Sequence, residues 1–121
     1  MFKLSKQFTF EASHRLPHHN GKCARLHGHS WVMRVEVSGP SLHNEGPKAG
    51  MLLDFGDISQ AVKPLVESKL DHYHLNETTG LENPTSEEVA RWVFEQLKIT
   101  LPTIVAVEIN ETCTSCCRYQ P

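Results

Sequence analysis

"HGHSWVMRVEV", residues 27–37, decides the fold of this chain. His27, His29, Trp31, Met33, Val35 and Val37 share one parity, with Arg34 and Glu36 on the other. Successive side chains of a strand point to opposite faces, so this alternation predicts a half-buried strand. Its inner face opens with two imidazoles. "LSKQFTFEASH", residues 4–14, repeats the pattern, with Leu4, Phe8, Phe10, Ala12 and His14 on one face. If the two strands pair as an antiparallel hairpin, the end of the first lies beside the start of the second. His14, His27 and His29 would then converge at one rim of the core. Zinc held by three histidines keeps a fourth position for water or substrate, which is the pattern of a catalytic site. The competing reading is a chance H-x-H, each ring satisfied by its own hydrogen bond.

Residues 17–21 read as a loop, and residues 39–50, with two prolines and three glycines, as a longer connection. From about Asp57 the period changes to that of a helix. Ile58, Ala61, Val62, Leu65, Val66 and Leu70 follow it, with Asp57 as the expected cap and Pro64 expected to kink or shorten it. After the polar stretch "NETTGLENP", a second helix is expected near Thr85, which has capping-box spacing to Glu88. Its stripe is Val89, Trp92, Val93, Gln96 and Leu97. Residues 104–111 read as a strand with Val105, Val107, Ile109 and Glu111 on one face, and a last short strand is expected around residues 117–119. The order ββααββ predicts an α+β domain spanning residues 1–121, an antiparallel four-stranded sheet with two helices on one face. Such a sheet has open edges that oligomerisation could close.

The totals narrow the function. A chain of 121 residues fits one domain, and its small core leaves a large site to borrow walls from neighbours. Net charge is -2, from 12 Lys+Arg against 14 Asp+Glu, which gives no footprint for nucleic acid or anionic membrane. No run approaches a membrane span, and "MFKLSKQFTF" lacks the apolar core of a signal peptide. The expectation is a cytoplasmic protein, where its 4 cysteines stay reduced, catalytic or metal-bound. The unusual total is 8 histidines.

Other residues carry chemistry. Cys23 precedes the H-G-H and could sit near the open side of a metal, where positive charge favours thiolate. It could equally be a fourth zinc ligand or a plain buried thiol. Asp71 stands beside His72, and His74 follows; an Asp–His pair, a second H-x-H metal pair and a solvated helix end are all open. Glu111 continues an apolar parity, so it either points toward the core side or frays with the strand end. Cys113, Cys116 and Cys117 offer too few ligands for a zinc knuckle, and His18, His19 and His43 fall in loops without a role.

The motifs "FTFEASHRL", "CARLHGHSW", "LLDFGDI", "LDHYHLN", "NPTSEEVARW" and "ETCTSC", in this order over nearly the whole chain, resemble the 6-pyruvoyl-tetrahydropterin synthase-like family. The likeness is strongest to its branch that forms 6-carboxy-tetrahydropterin in queuosine biosynthesis, where three residues separate the cysteine from the H-G-H, as they do here. The resemblance implies zinc on His14, His27 and His29, a catalytic thiol at Cys23 and a working pair at His72 and Asp71. It implies a pterin anchor at Glu111 and a pterin-pocket Thr/Ser pair at Thr85 and Ser86. It implies the family's tunnelling fold, in which the sheets of a trimer close a barrel and two trimers stack as a homohexamer with sites at subunit interfaces. The implied reaction converts 7,8-dihydroneopterin triphosphate to 6-carboxy-5,6,7,8-tetrahydropterin, losing acetaldehyde and triphosphate.

Three rivals stand against it. One is the sister reaction giving a 6-pyruvoyl product, disfavoured by the cysteine spacing. A generic three-histidine zinc hydratase or hydrolase needs no Glu111. A zinc-stabilised binding module would use Cys23 as a ligand, so Cys23→Ala should lose both metal and fold. The synthase reading expects Cys23→Ala to keep its zinc, measured by metal analysis of the purified variant.

Overall fold

The two alternating stretches form the longest strands of the protein in a computed structural model that describes residues 1–121. β1 (Phe2–His14) and β2 (His27–Gly39) pair antiparallel in unbroken register, Phe2 opposite Gly39 and His14 opposite His27. Inner residues therefore meet inner residues. Phe8 faces Met33, and Phe10 faces Trp31 with the rings stacked 5.8 Å apart at 8°. The Trp31 indole, fully buried, also donates to the Ala12 carbonyl at 3.1 Å.

The sheet has five strands rather than the four expected, in the order β3-β1-β2-β4-β5. β4 (Ile104–Thr112) and β5 (Ser115–Tyr119) continue the antiparallel set, so the last strand begins earlier than residue 117. β3 (Tyr73–His74) is the addition, and it runs parallel to β1 at Ala12 and Ser13. Two residues carry no periodicity, so the sequence had no signal for it. The sheet is therefore mixed and open. Its outer face is polar, with Arg34 bonded to Gln7 and Glu108 and Arg118 bonded to Glu108 and Glu36.

A bulge between Glu36 and Val37 shifts one register. Val37 consequently pairs with Ile104, which takes the core position expected for Val105, while Val107 and Ile109 keep theirs.

α1 (Phe55–Leu65) is capped by Asp54, whose side chain accepts the Gly56 N–H at 2.8 Å. Asp57, expected as the cap, instead completes a capping box by accepting the Asp54 N–H at 3.3 Å, and it binds Lys48 at 2.5 Å. Pro64 has no N–H to give, and regular helix ends one residue later. The chain continues through a π-helical turn, Val66–Leu70, closed by the Asp71 N–H on the Val66 carbonyl at 2.8 Å. A one-turn helix, α2 (Leu75–Thr78), occupies part of the expected polar loop.

α3 (Ser86–Thr100) starts where the capping box predicted, Thr85 Oγ1 accepting the Glu88 N–H at 3.2 Å. Its buried face is Val89, Ala90, Val93, Phe94 and Leu97. The stripe is thus turned from Gln96, which is exposed, toward Phe94, whose ring meets Tyr119 of β5 edge-on at 5.4 Å. Helices and inner sheet face enclose one core.

Leu97→Ala removes a side chain 1% exposed and is expected to cost about 2–5 kcal/mol. Asp54→Ala, which removes only a cap, should cost about 1 kcal/mol. Urea midpoints of the two variants check the ranking.

Candidate functional site

Register builds the site. His14 lies opposite His27 at the end of the hairpin, and His29 follows one inner position along, beside Ala12. The ring centroids are 4.5 Å apart for His14–His27, 5.1 Å for His14–His29 and 5.0 Å for His27–His29. One ring nitrogen from each lies within 4.8 Å of the other two. Trp31 packs edge-on against both His14 and His29 and forms the floor.

Main-chain carbonyls orient two of the rings. His14 Nδ1 is 2.9 Å from the Pro84 carbonyl, and His27 Nδ1 is 2.7 Å from the Arg25 carbonyl. A ring nitrogen facing a carbonyl must donate, which leaves the neutral ring's lone pair on Nε2. His14 Nε2 and His29 Nε2 are buried without any hydrogen-bond partner. Two adjacent buried ring nitrogens without hydrogen bonds are costly unless a ligand fills the place between them. Burial holds both His14 and His29 below the ordinary histidine pKa, with Glu111 partly opposing it. Both rings therefore offer lone pairs at neutral pH. Three converging imidazoles, two of them with carbonyl-fixed tautomers, fit a zinc ion.

Glu111 points inward, as the parity reading required: its Oε2 is 3.5 Å from His29 Nε2. Ser86, the first residue of α3, donates its hydroxyl to Glu111 Oε1 at 2.7 Å. Thr85, next to it, is occupied as the helix cap. Fraying of β4 before Glu111 is thereby excluded.

Asp71 caps the end of the π-helical turn and the exposed His72 follows it, so both do stand at a helix end, but with defined partners. The π-helical turn delivers Asp71 to the edge of β1, where Oδ1 accepts the Glu11 N–H at 2.9 Å and Oδ2 lies 3.0 Å from His72 Nδ1. The Glu11 N–H, then His72, hold the Asp71 carboxyl below its ordinary pKa. His72 adopts the left-handed conformation (φ 66°) and gives its own N–H to the Glu11 carbonyl at 2.5 Å. Such a backbone in a non-glycine residue stores about 1–3 kcal/mol and concentrates at working sites. His74 turns to Ser13, with Nδ1 3.0 Å from the hydroxyl. An open cavity of about 620 Å³ at this end of the sheet has Glu11, His29, Ser30 and His72 in its walls.

Cys23 lies half-buried in a single turn of 3-10 helix, Lys22–Ala24, and its carbonyl takes the Leu16 N–H at 2.9 Å. It is a free thiol, as are Cys113, Cys116 and Cys117. The imidazole cluster is formed by histidines alone. What sequence reasoning missed is mostly main chain, the carbonyls of Pro84 and Arg25 and both main-chain groups of Glu11. Side chains cannot announce these.

Residues 3–121 match the family described as 6-pyruvoyl tetrahydropterin synthase. The chain is 49% identical over 120 residues to the 6-carboxy-5,6,7,8-tetrahydropterin synthase of Synechocystis, covering 98% of this chain and 93% of that one. It is 35% identical to the Haemophilus influenzae protein of the same name, with 99% of each covered. Among solved structures, the Caenorhabditis elegans 6-pyruvoyl tetrahydropterin synthase superposes with a TM-score of 0.85 at 25% identity, covering 99% of this chain and 95% of that one.

Histidines with lowered pKa make the metal-free protein sensitive to acid. Below the ordinary value of 6.5 the unfolded chain takes up protons at His14 and His29 that the folded chain refuses. Stability should therefore rise with pH through that window and level off above it. Urea midpoints of metal-free protein from pH 5 to 8 measure the slope, which His14→Gln should flatten.

Proposed function

This chain belongs to the 6-pyruvoyl tetrahydropterin synthase family, and on that premise we propose that it is a 6-carboxy-5,6,7,8-tetrahydropterin synthase. It takes 7,8-dihydroneopterin triphosphate to 6-carboxy-tetrahydropterin with loss of acetaldehyde and triphosphate, within queuosine biosynthesis. The observation that carries the reading is the meeting of three imidazoles, His14 buried and His27 and His29 half-buried, with an inward-facing glutamate at one end of the sheet. The three residues between Cys23 and His27 favour the carboxy product over the pyruvoyl one.

In this reading His14, His27 and His29 hold zinc, which supplies Lewis acidity toward the substrate's side-chain oxygens and a template for them. Glu111, its Oε1 already held by Ser86, presents a fixed carboxylate to the pterin's amino and ring N–H groups, and Thr85 and Ser86 stand beside it. Cys23, as thiolate, accepts a proton from the side-chain carbon next to the ring. His72 moves protons on the other side of that chain. Asp71, anchored by the Glu11 N–H, fixes the His72 ring and its tautomer. Arg15, Lys22 and Arg25, in the segment between His14 and His27, are the basic partners offered to the triphosphate.

The assembly follows from the same reading. Residues 1–121 act as one cytoplasmic domain. No helix is long and apolar enough to cross a membrane. β1 is paired on its outer side only at Ala12 and Ser13, and β5 ends the sheet opposite, so both edges are free to join copies. Trimers closing a barrel, stacked as a hexamer, satisfy those edges and place another subunit's surface over each open site.

The deciding experiment gives zinc-loaded protein the dihydroneopterin triphosphate and reads the product by mass. A 6-carboxy-tetrahydropterin with acetaldehyde is expected; a pyruvoyl product or no conversion overturns the reading. Cys23→Ala should lower kcat by about 10²–10⁴-fold at unchanged zinc content.

A further inference from the structure

Asn76 makes three hydrogen bonds, all to main chain, to residues that neighbour His14 and its acceptor in sequence. Its Oδ1 accepts the Arg15 N–H at 2.9 Å while its Nδ2 donates to the Arg15 carbonyl at 2.9 Å. That reciprocal pair continues, with a side chain, the ladder that β3 makes with β1 at Ala12 and Ser13. Nδ2 also donates to the Glu82 carbonyl at 3.2 Å. Arg15 follows His14 directly, and Glu82 stands two residues before Pro84, whose carbonyl is 2.9 Å from His14 Nδ1. One carboxamide thus joins the chain segment that carries His14 to the segment that carries its acceptor.

We infer that Asn76 is a positioning residue for the metal site, holding His14 and the Pro84 carbonyl in the relation that keeps the His14 lone pair on Nε2. The inference rests on the reading of His14, His27 and His29 as metal ligands and is independent of the reaction they serve. Its physical basis is the solvent exposure of these three bonds. Water can replace each of them individually, so the fold loses little when they go. Water cannot hold two chain segments at a set spacing. Only a short amide supplies the acceptor and the donors together; a carboxylate has no donor to give. Loss of a group that orients a metal-bound histidine typically weakens metal affinity about 10- to 100-fold.

Asn76→Ala and Asn76→Asp are compared with wild type, and with Asp54→Ala as a variant weakened far from the site. The probe is Co²⁺, titrated for affinity and for the visible absorption that reports coordination geometry. Long-range ¹H–¹⁵N spectra of the metal-free proteins report the His14 tautomer. Both Asn76 variants should bind Co²⁺ about 10- to 100-fold more weakly with altered absorption, and His14 should lose its single Nδ1–H tautomer. Asp54→Ala should change neither readout. Asn76→Asp keeps the Arg15 N–H bond and carries the test if the alanine variant does not fold. Wild-type affinity and spectra in a folded Asn76 variant overturn the inference, as does a wild-type protein that binds no Co²⁺. A wild-type protein that binds Co²⁺ yet converts no pterin overturns the proposed reaction alone.

Discussion

A slip of one residue between β1 and β2 would turn His14 away from His27 and His29 and, in the same step, break the match of inner faces that forms the core. Register is thus the constraint on which site and fold both depend. It is set in the core that adjoins the imidazoles, by Phe8 against Met33 and by Phe10 stacked on Trp31. Trp31 then serves twice. Its indole fixes the hairpin through the Ala12 carbonyl, and its ring edge supports His14 and His29.

The second organising element is the segment from Asp71 to Ser86, tied to the end of β1 and to the site at short intervals. Asp71 and His72 bind the main chain of Glu11, His74 binds Ser13, Asn76 binds Arg15, Pro84 binds His14, and Ser86 binds Glu111. These ties explain how a left-handed His72 persists: its neighbours on both sides are held to β1. They also explain why Asp71 stays ionised beside it, since the Glu11 N–H favours the carboxylate. Strain at His72 and unpartnered nitrogens on His14 and His29 are local costs that the fold itself does not need. Such costs gather where a ligand is to be met.

Much of this was legible from side-chain pattern. Alternation in residues 4–14 and 27–37 placed both strands and the three imidazoles on one face. The Thr85–Glu88 spacing located the start of α3, and Pro64 foretold an early end to α1. Helical period alone could not say which half of an amphipathic helix meets the sheet, so the stripe drawn through Gln96 turned out to run through Phe94, which Tyr119 covers. The bulge that put Ile104 in place of Val105 likewise depends on how β2 and β4 pair along their length.

By itself the sequence determined the strand faces, the helix cap and the identity of the residues that carry chemistry, because each is set by the order of side chains along a few turns or pleats. Tertiary structure alone decided β3, the pairing of Asp71 with Glu11, and the carbonyls that fix His14 and His27. Those depend on main-chain groups brought together from residues as far apart as 14 and 84, and a peptide carbonyl is the same at every position until the fold gives it a neighbour.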